Sequence, residues 1–181
     1  MISRSLETTL NALALLAVSA VLGVAFLDQF AKDELPCPLC LLQRAGFLLL
    51  AIGPVLNVAR GPRPAHYGVT ILAGLVGAGF AMRQVLLHIE PGDAGYGAPF
   101  LGLHFYTWAF VVFVAAVAAC GLMLVLRAPG EEARPAVRLT GLSLVAVLLV
   151  LAMAALNTAS TLVECGFDSC PDDPTVYRLL Q

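Results

Sequence analysis

A chain of 181 residues that is 60% hydrophobic and only 12% charged lies far below the roughly 25% charge of a soluble domain. Its net charge of −2 supplies no basic face for nucleic acid. The composition points to a single all-α membrane domain, because in lipid each span must satisfy its own backbone hydrogen bonds and a helix does so within one segment.

Five apolar runs follow in order: Leu10 to Leu27, Leu41 to Val58, Val69 to Leu87, Phe105 to Leu126 and Leu139 to Leu156. Each is close to the ~20 residues that cross a bilayer as a helix. They predict spans over residues 10–30, 41–58, 67–88, 102–126 and 139–157, with 158–181 as an external tail. Arg4 and the small residues Ala17 to Ala20 give the first run some look of a signal peptide. Its apolar stretch exceeds the usual core of about 7–15 residues, which favours a retained span. Gln43 and Arg44 interrupt the start of the second run, so a re-entrant segment is the alternative there. Gly74, Gly77 and Gly79 in the third suit close helix packing.

The connections set an orientation. Arg4, Arg60, Arg63, Arg127, Arg134 and Arg138 fall on one side, which the positive-inside bias makes cytoplasmic along with the N-terminus. His66 sits among them, in a connection with no expected role. Lys32-Asp33-Glu34, Glu90 to Asp93 and the acidic tail fall on the other side. In the tail, Asp173 followed by Pro174 predicts a short helix to about Leu180.

Four of the five cysteines form two local pairs on that outer side: Cys37 with Cys40, and Cys165 with Cys170. Two pairs in an oxidising compartment read as disulfide chemistry, so no metal site is expected, although a four-cysteine zinc clip is a competing reading. A three-residue spacing closes a very small loop and makes a poor staple. Such a pair more often cycles between dithiol and disulfide. Cys40 stands near the N-terminus of span two, where the helix dipole stabilises a thiolate. Arg44, four residues on, shares its helical face. The sequence contains no dinucleotide fingerprint and no haem attachment motif. A lipid-soluble quinone is the acceptor that a dithiol at the membrane boundary can reach.

The stretch "LPCPLCLLQR", Leu35 to Arg44, resembles the DsbB family of disulfide-generating quinone reductases. "MRQVLLHIEP", Met82 to Pro91, resembles the family's segment at the outer end of span three. The resemblance implies a four-helix core, here with a fifth transmembrane helix added. It implies electrons taken from a periplasmic thioredoxin-fold oxidase of the DsbA type and passed through two cysteine pairs to ubiquinone or menaquinone of the membrane pool, in the bacterial inner membrane. It makes Cys37 and Cys40 the quinone-proximal pair, with Cys40 facing the quinone ring and Arg44 contacting it. Gln84, Arg83 and His88 line the same site by this likeness. One departure is plain: the loop between spans three and four carries no cysteine. Cys165 and Cys170 in the tail are the expected replacement for the family's second pair, facing the partner.

Other residues carry plainer expectations. Cys120 reads as a packing residue, and Tyr106 and Trp108 as an aromatic belt. His88 and His104 flank the outer loop as interfacial polar groups, and Phe100 and Phe105 face either a quinone or lipid. Asp28 is an ionisable residue near the membrane and hence a functional candidate. The competing function is a non-enzymatic membrane scaffold or assembly factor with its cysteines as staples. The Gln43-Arg44 pair beside the cysteines argues against it, since a staple needs no adjacent cation.

Overall fold

The computed structural model describes residues 3–32, 34–127, 139 and 141–181. Asp33, Arg134 and Arg138, which entered the orientation argument, lie outside the described residues. Five long helices follow in chain order: α1 (Arg4–Lys32), α2 (Pro38–Arg60), α3 (Pro64–Leu87), α4 (Phe105–Leu126) and α5 (Gly141–Cys165). All five are long and apolar enough to cross a membrane. The molecule is an all-α integral membrane bundle.

Local chemistry starts two of the helices cleanly. Cys37 caps α2 and Pro38 occupies its first turn, where a missing N–H costs nothing. Pro64 does the same for α3 after the tight Gly61-Pro62-Arg63 connection, in which Gly61 takes φ 86°. α2 is a continuous helix of 23 residues despite Gln43, Arg44 and an interior Pro54. α1 begins at Arg4, before the apolar run itself.

α3 packs between α2 and α4, while α1 packs on α2 and α5. α1 and α4 do not pack on each other, so the row leaves a cleft between them with α2 as its floor. The core of the row is the stack of Phe47 on Phe113, with ring centroids 4.2 Å apart. Gly46 and Gly77 let that stack form, since a Cβ on Gly77 would collide with the Phe113 ring. Gly74 likewise admits Val117 of α4, whereas a Cβ on Gly79 would meet nothing among the described residues. Leu27, Leu72 and Val125 stay exposed on the outer surface, as lipid-facing residues do.

A buried polar network closes the Arg127 end of the bundle. Glu7 forms an ion pair with Arg127 and accepts from the Tyr67 hydroxyl at 2.8 Å. Asn11 Nδ2 donates to Tyr67 at 2.9 Å, and Asn57 Nδ2 donates to Asn11 Oδ1 at 2.9 Å. His66 Nδ1 lies 2.9 Å from Asn57 Oδ1. His66 is therefore a buried member of the first turn of α3, not an idle loop residue as its Pro-rich surroundings suggest. Four helices meet through side chains that each find partners, as buried polar groups must.

The tail also departs from expectation. Asp173-Pro174 starts no helix, and the only regular piece after α5 is a 3-10 turn at Arg178–Leu180. A segment this short cannot nucleate a helix by itself, and Tyr177 is drawn onto α1 instead.

Candidate functional site

Cys37 and Cys40 form a disulfide at the start of α2, with Cα atoms 5.0 Å apart. The capping role of Cys37 directs a backbone donor at sulfur: Cys40 N–H lies 3.2 Å from Cys37 Sγ. A second donor arrives from α3. Gln84, 2% exposed, places Nε2 3.3 Å from Cys37 Sγ and 3.6 Å from Cys40 Sγ. Its carbonyl is held by Gln43 Nε2 at 2.6 Å, which turns the amide N–H groups toward the sulfurs. N–H donors converging at a helix N-terminus favour the thiolate over the thiol.

Cys40 lines a cavity of about 380 Å³ in the cleft between α1 and α4. Its walls are Val21, Val24 and Ala25 of α1 and Phe105, Tyr106, Trp108 and Ala109 of α4, with Gln43, Arg44 and Phe47 of α2 beneath. Asp28 also lines it and pairs with Lys32. Arg44 is buried there. Its Nη1 donates to Gln29 Oε1 at 2.7 Å, its Nη2 to the Ala25 carbonyl at 3.1 Å, and its guanidinium lies 4.8 Å from the Phe26 ring centroid. The lining sets one buried cation, the carboxylates of Asp28 and Glu34 and one sulfur among mostly apolar walls, and the volume lies in the ~300–1,000 Å³ range of ligand pockets.

The second pair ends α5. Cys165 and Cys170 form a disulfide with Cα atoms 4.6 Å apart. Cys165 is buried and Cys170 half-buried. Next to Cys165, Glu164 is fully buried, and neither carboxylate oxygen has a hydrogen-bond partner among the described residues. It interacts electrostatically with Arg44 across the α2–α5 contact. Gln29 joins the two regions: its Nε2 donates to Tyr177 at 3.0 Å and to Ser160 at 3.3 Å.

The loop between α3 and α4 roofs the cavity. Tyr96 donates to the Leu35 carbonyl at 2.6 Å and lines the cavity. Burial, then the acidic groups Asp173, Glu164 and Glu34, push its pKa up to about 12, so the phenol keeps its proton. Asp93 accepts from Gly95 N at 2.7 Å and lies 3.1 Å from His88 Nδ1. Those two contacts hold its carboxyl below the usual range. Phe100 and Leu103 pair across a turn in which Leu101 takes φ 52°, and Trp108 Nε1 donates to Phe100 O at 2.8 Å.

Of the residues expected around the acceptor, Cys40 and Arg44 share the cavity. Gln84 lies behind the disulfide, not among the lining residues. Arg83 is exposed, and His88 faces Asp93; neither lines the cavity. Phe100, Phe105, Tyr106 and Trp108 do. His104 stacks on Tyr106 with centroids 5.2 Å apart. Cys120 is buried and unpaired in α4. Sequence reasoning passed over Gln29 and Glu164. The available signal was a polar residue in or beside an apolar run, which is a functional candidate by default.

The sequence profile of the family described as "Disulfide bond formation protein DsbB" matches residues 7–97, from α1 into the loop after α3. Disulfide bond formation protein B of Hahella chejuensis is 38% identical over 91 residues, covering 47% of this chain and 54% of that protein. The protein of the same name from Chromobacterium violaceum is 35% identical over 102 residues, 51% of this chain and 60% of its own length. Disulfide bond formation protein B 2 of Burkholderia lata is 30% identical over 150 residues, 66% of this chain and 89% of its own length. The chain thus spans little more than half the length of the first two relatives. No solved structure matches it. The family match takes in the Cys37–Cys40 disulfide, Arg44 and Gln84 and stops before α4, α5 and the tail pair; over that stretch, the chain belongs to the DsbB family.

Proposed function

We propose that this protein is a membrane thiol:quinone oxidoreductase that reoxidises a periplasmic thioredoxin-fold oxidase of the DsbA type. One observation carries the reading: the Cys37–Cys40 disulfide has one sulfur against N–H donors and the other in a cavity that also holds Arg44. In the proposed setting the chain crosses the bacterial inner membrane with its N-terminus cytoplasmic. Both cysteine pairs and the tail then face the periplasm. The arginine distribution supports that orientation.

Cys40, Arg44, Phe105, Tyr106 and Trp108 would hold ubiquinone or menaquinone. Bound there, the quinone would supply a two-electron, two-proton acceptor. The chain's own cysteines do the rest by thiol–disulfide exchange. A partner thiolate attacks Cys170, the less buried sulfur of the tail pair, and Cys165 leaves as thiolate. Cys165 attacks Cys37, forming a bond between the two pairs and releasing Cys40 as thiolate at the cavity. The partner's second thiol then displaces Cys170 and leaves oxidised. Cys170 displaces Cys37 from Cys165, which restores the tail disulfide and leaves Cys37 and Cys40 reduced. Their two electrons and two protons pass to the acceptor, and the Cys37–Cys40 bond re-forms. Gln84 and the start of α2 stabilise the thiolate state, and Arg44 offsets negative charge at the cavity.

The test uses purified protein, a reduced thioredoxin-fold oxidase and ubiquinone-1. Wild type should show quinone-dependent loss of partner thiols. Cys40→Ala should lose it entirely, and Cys165→Ser/Cys170→Ser should lose partner oxidation. Native-rate quinone reduction by Cys40→Ala would overturn the assignment. Full partner oxidation by the tail variant would remove the tail pair from the relay.

A further inference from the structure

After Cys165 the chain folds back on itself. Gly166, at φ 68°, ends α5 by donating its N–H to Leu162 O at 2.9 Å. The Cys165–Cys170 bond closes the bend. Arg178 Nη1 reaches back to Ser169 O at 3.0 Å, and the Arg178–Leu180 turn lies along α5. Through this bend the Tyr177 hydroxyl arrives beside α1 and accepts from Gln29 Nε2 at 3.0 Å.

Gln29 is 2% exposed, so its carboxamide has only the partners the protein gives it. Its nitrogen is committed to Tyr177 and Ser160, which leaves its oxygen facing Arg44 Nη1 at 2.7 Å. A carboxamide has one donor end and one acceptor end, so fixing the first orients the second. The tail therefore reaches the cavity cation through a single side chain, although Tyr177 and Gln29 are 148 positions apart.

We propose that Tyr177 and Gln29 are positioning residues for Arg44, and that the Cys165–Cys170 disulfide, by holding the tail bend, makes acceptor affinity depend on the redox state of the tail. The inference rests on the thiol:quinone reading above. It gives the tail a second role besides carrying electrons. With the tail oxidised, Tyr177 holds Gln29 and Arg44 is fixed at the cavity. With the tail reduced, the bend opens and that hold is lost. Tight acceptor binding then coincides with the state in which Cys37 and Cys40 carry the electrons and the tail has re-closed.

Trp108 is the only tryptophan in the chain and lines the cavity, so its quenching by ubiquinone-1 reports binding without turnover. Losing one neutral hydrogen bond should weaken binding about three- to tenfold in Tyr177→Phe. Gln29→Ala should weaken it at least as much, and the double variant should match Gln29→Ala alone, because the two residues act through one contact. Cys165→Ser/Cys170→Ser should show the Tyr177→Phe loss. With the reduced thioredoxin-fold oxidase as electron source, Tyr177→Phe should raise KM for ubiquinone-1 by the same factor, with a smaller change in kcat. Wild-type affinity in Tyr177→Phe, or additive losses in the double variant, would overturn the inference while leaving the function intact. No quenching and no turnover in the wild type would overturn the function, and the inference with it.

Discussion

At the Arg127 end, α1, α2 and α3 meet on Glu7, Asn11, Asn57, His66 and Tyr67, joined by Arg127 just past α4, and each of these side chains has a partner. At the cysteine end, Gln29, Gln43, Arg44 and Gln84 are just as buried, but their network is left open. Arg44 borders a cavity, Gln84 turns its donors to sulfur, and Glu164 has no hydrogen-bond partner for either oxygen among the described residues. Buried polar groups cost free energy unless satisfied. The closed end uses its hydrogen bonds to fix the helices, and under the proposed function the open end keeps groups in reserve for a reacting centre.

The contrast is broken most directly at Glu7. Removing one member of a buried ion pair leaves the others desolvated and uncompensated, at a cost of about 3–5 kcal/mol. Glu7→Ala should therefore lower the unfolding midpoint in detergent more than any single change among the cavity residues. The protein that remains folded should bind ubiquinone-1 with near-native affinity, measured by Trp108 quenching. A large loss of affinity with little loss of stability would mean that the two ends are not separable in this way.

A smaller change sharpens the other side. Gln84→Ala removes a donor aimed at both sulfurs but leaves the fully satisfied end untouched. A hydrogen bond to a charged group contributes about 1.5 kcal/mol or more. For a two-electron couple that corresponds to about 30 mV. The Cys37–Cys40 potential should fall by this order, because the reduced, thiolate form loses the support. Gln43→Ala should shift it the same way by less, since the Gln84 amide survives but is freed to rotate. Equilibration against glutathione buffers reads both. An unchanged potential in Gln84→Ala would leave that carboxamide a packing role only.

How much of this was legible in the sequence depended on distance along the chain. Cys37, Cys40, Gln43 and Arg44 fall within eight residues, so helical spacing alone places them together. The five apolar runs gave the all-α membrane class for the same reason. Glu7 stands outside the first apolar run, and its contacts with Tyr67 and with Arg127, 120 positions away, make it a core residue. Tyr177 looked like one turn of a terminal helix until its contact with Gln29 appeared. Arg83 and His88 were assigned by local likeness, but no residue of α3 lines the cavity, and His88 follows the helix and faces Asp93. Periodicity reports which face a residue is on, not which distant side chain meets it there.

The mildest effect lies in the loop that roofs the open end. The Gly95 N–H and His88 hold the Asp93 carboxyl below the ordinary carboxylate range. A depressed folded-state value means that the unfolded chain binds the proton first as pH falls. The support from Asp93 is thus fully present above the ordinary value of about 3.9 and is lost as pH falls through the folded one. Between pH 5 and 8 the Asp93 carboxylate should stay charged and keep the Gly95 N–H. Below about pH 4 the segment from His88 to Gly97 should loosen, and with it the Tyr96 contact to Leu35. Amide exchange at Gly95, whose N–H is the donor to Asp93, measures this directly. Asp93→Asn should remove the acid-side rise in exchange while leaving the neutral-pH rate set by the weaker amide acceptor. If the rise persists in that variant, the acid sensitivity of the loop belongs to another carboxyl, with Asp173, Glu164 and Glu34, which all act electrostatically on Tyr96, as the candidates.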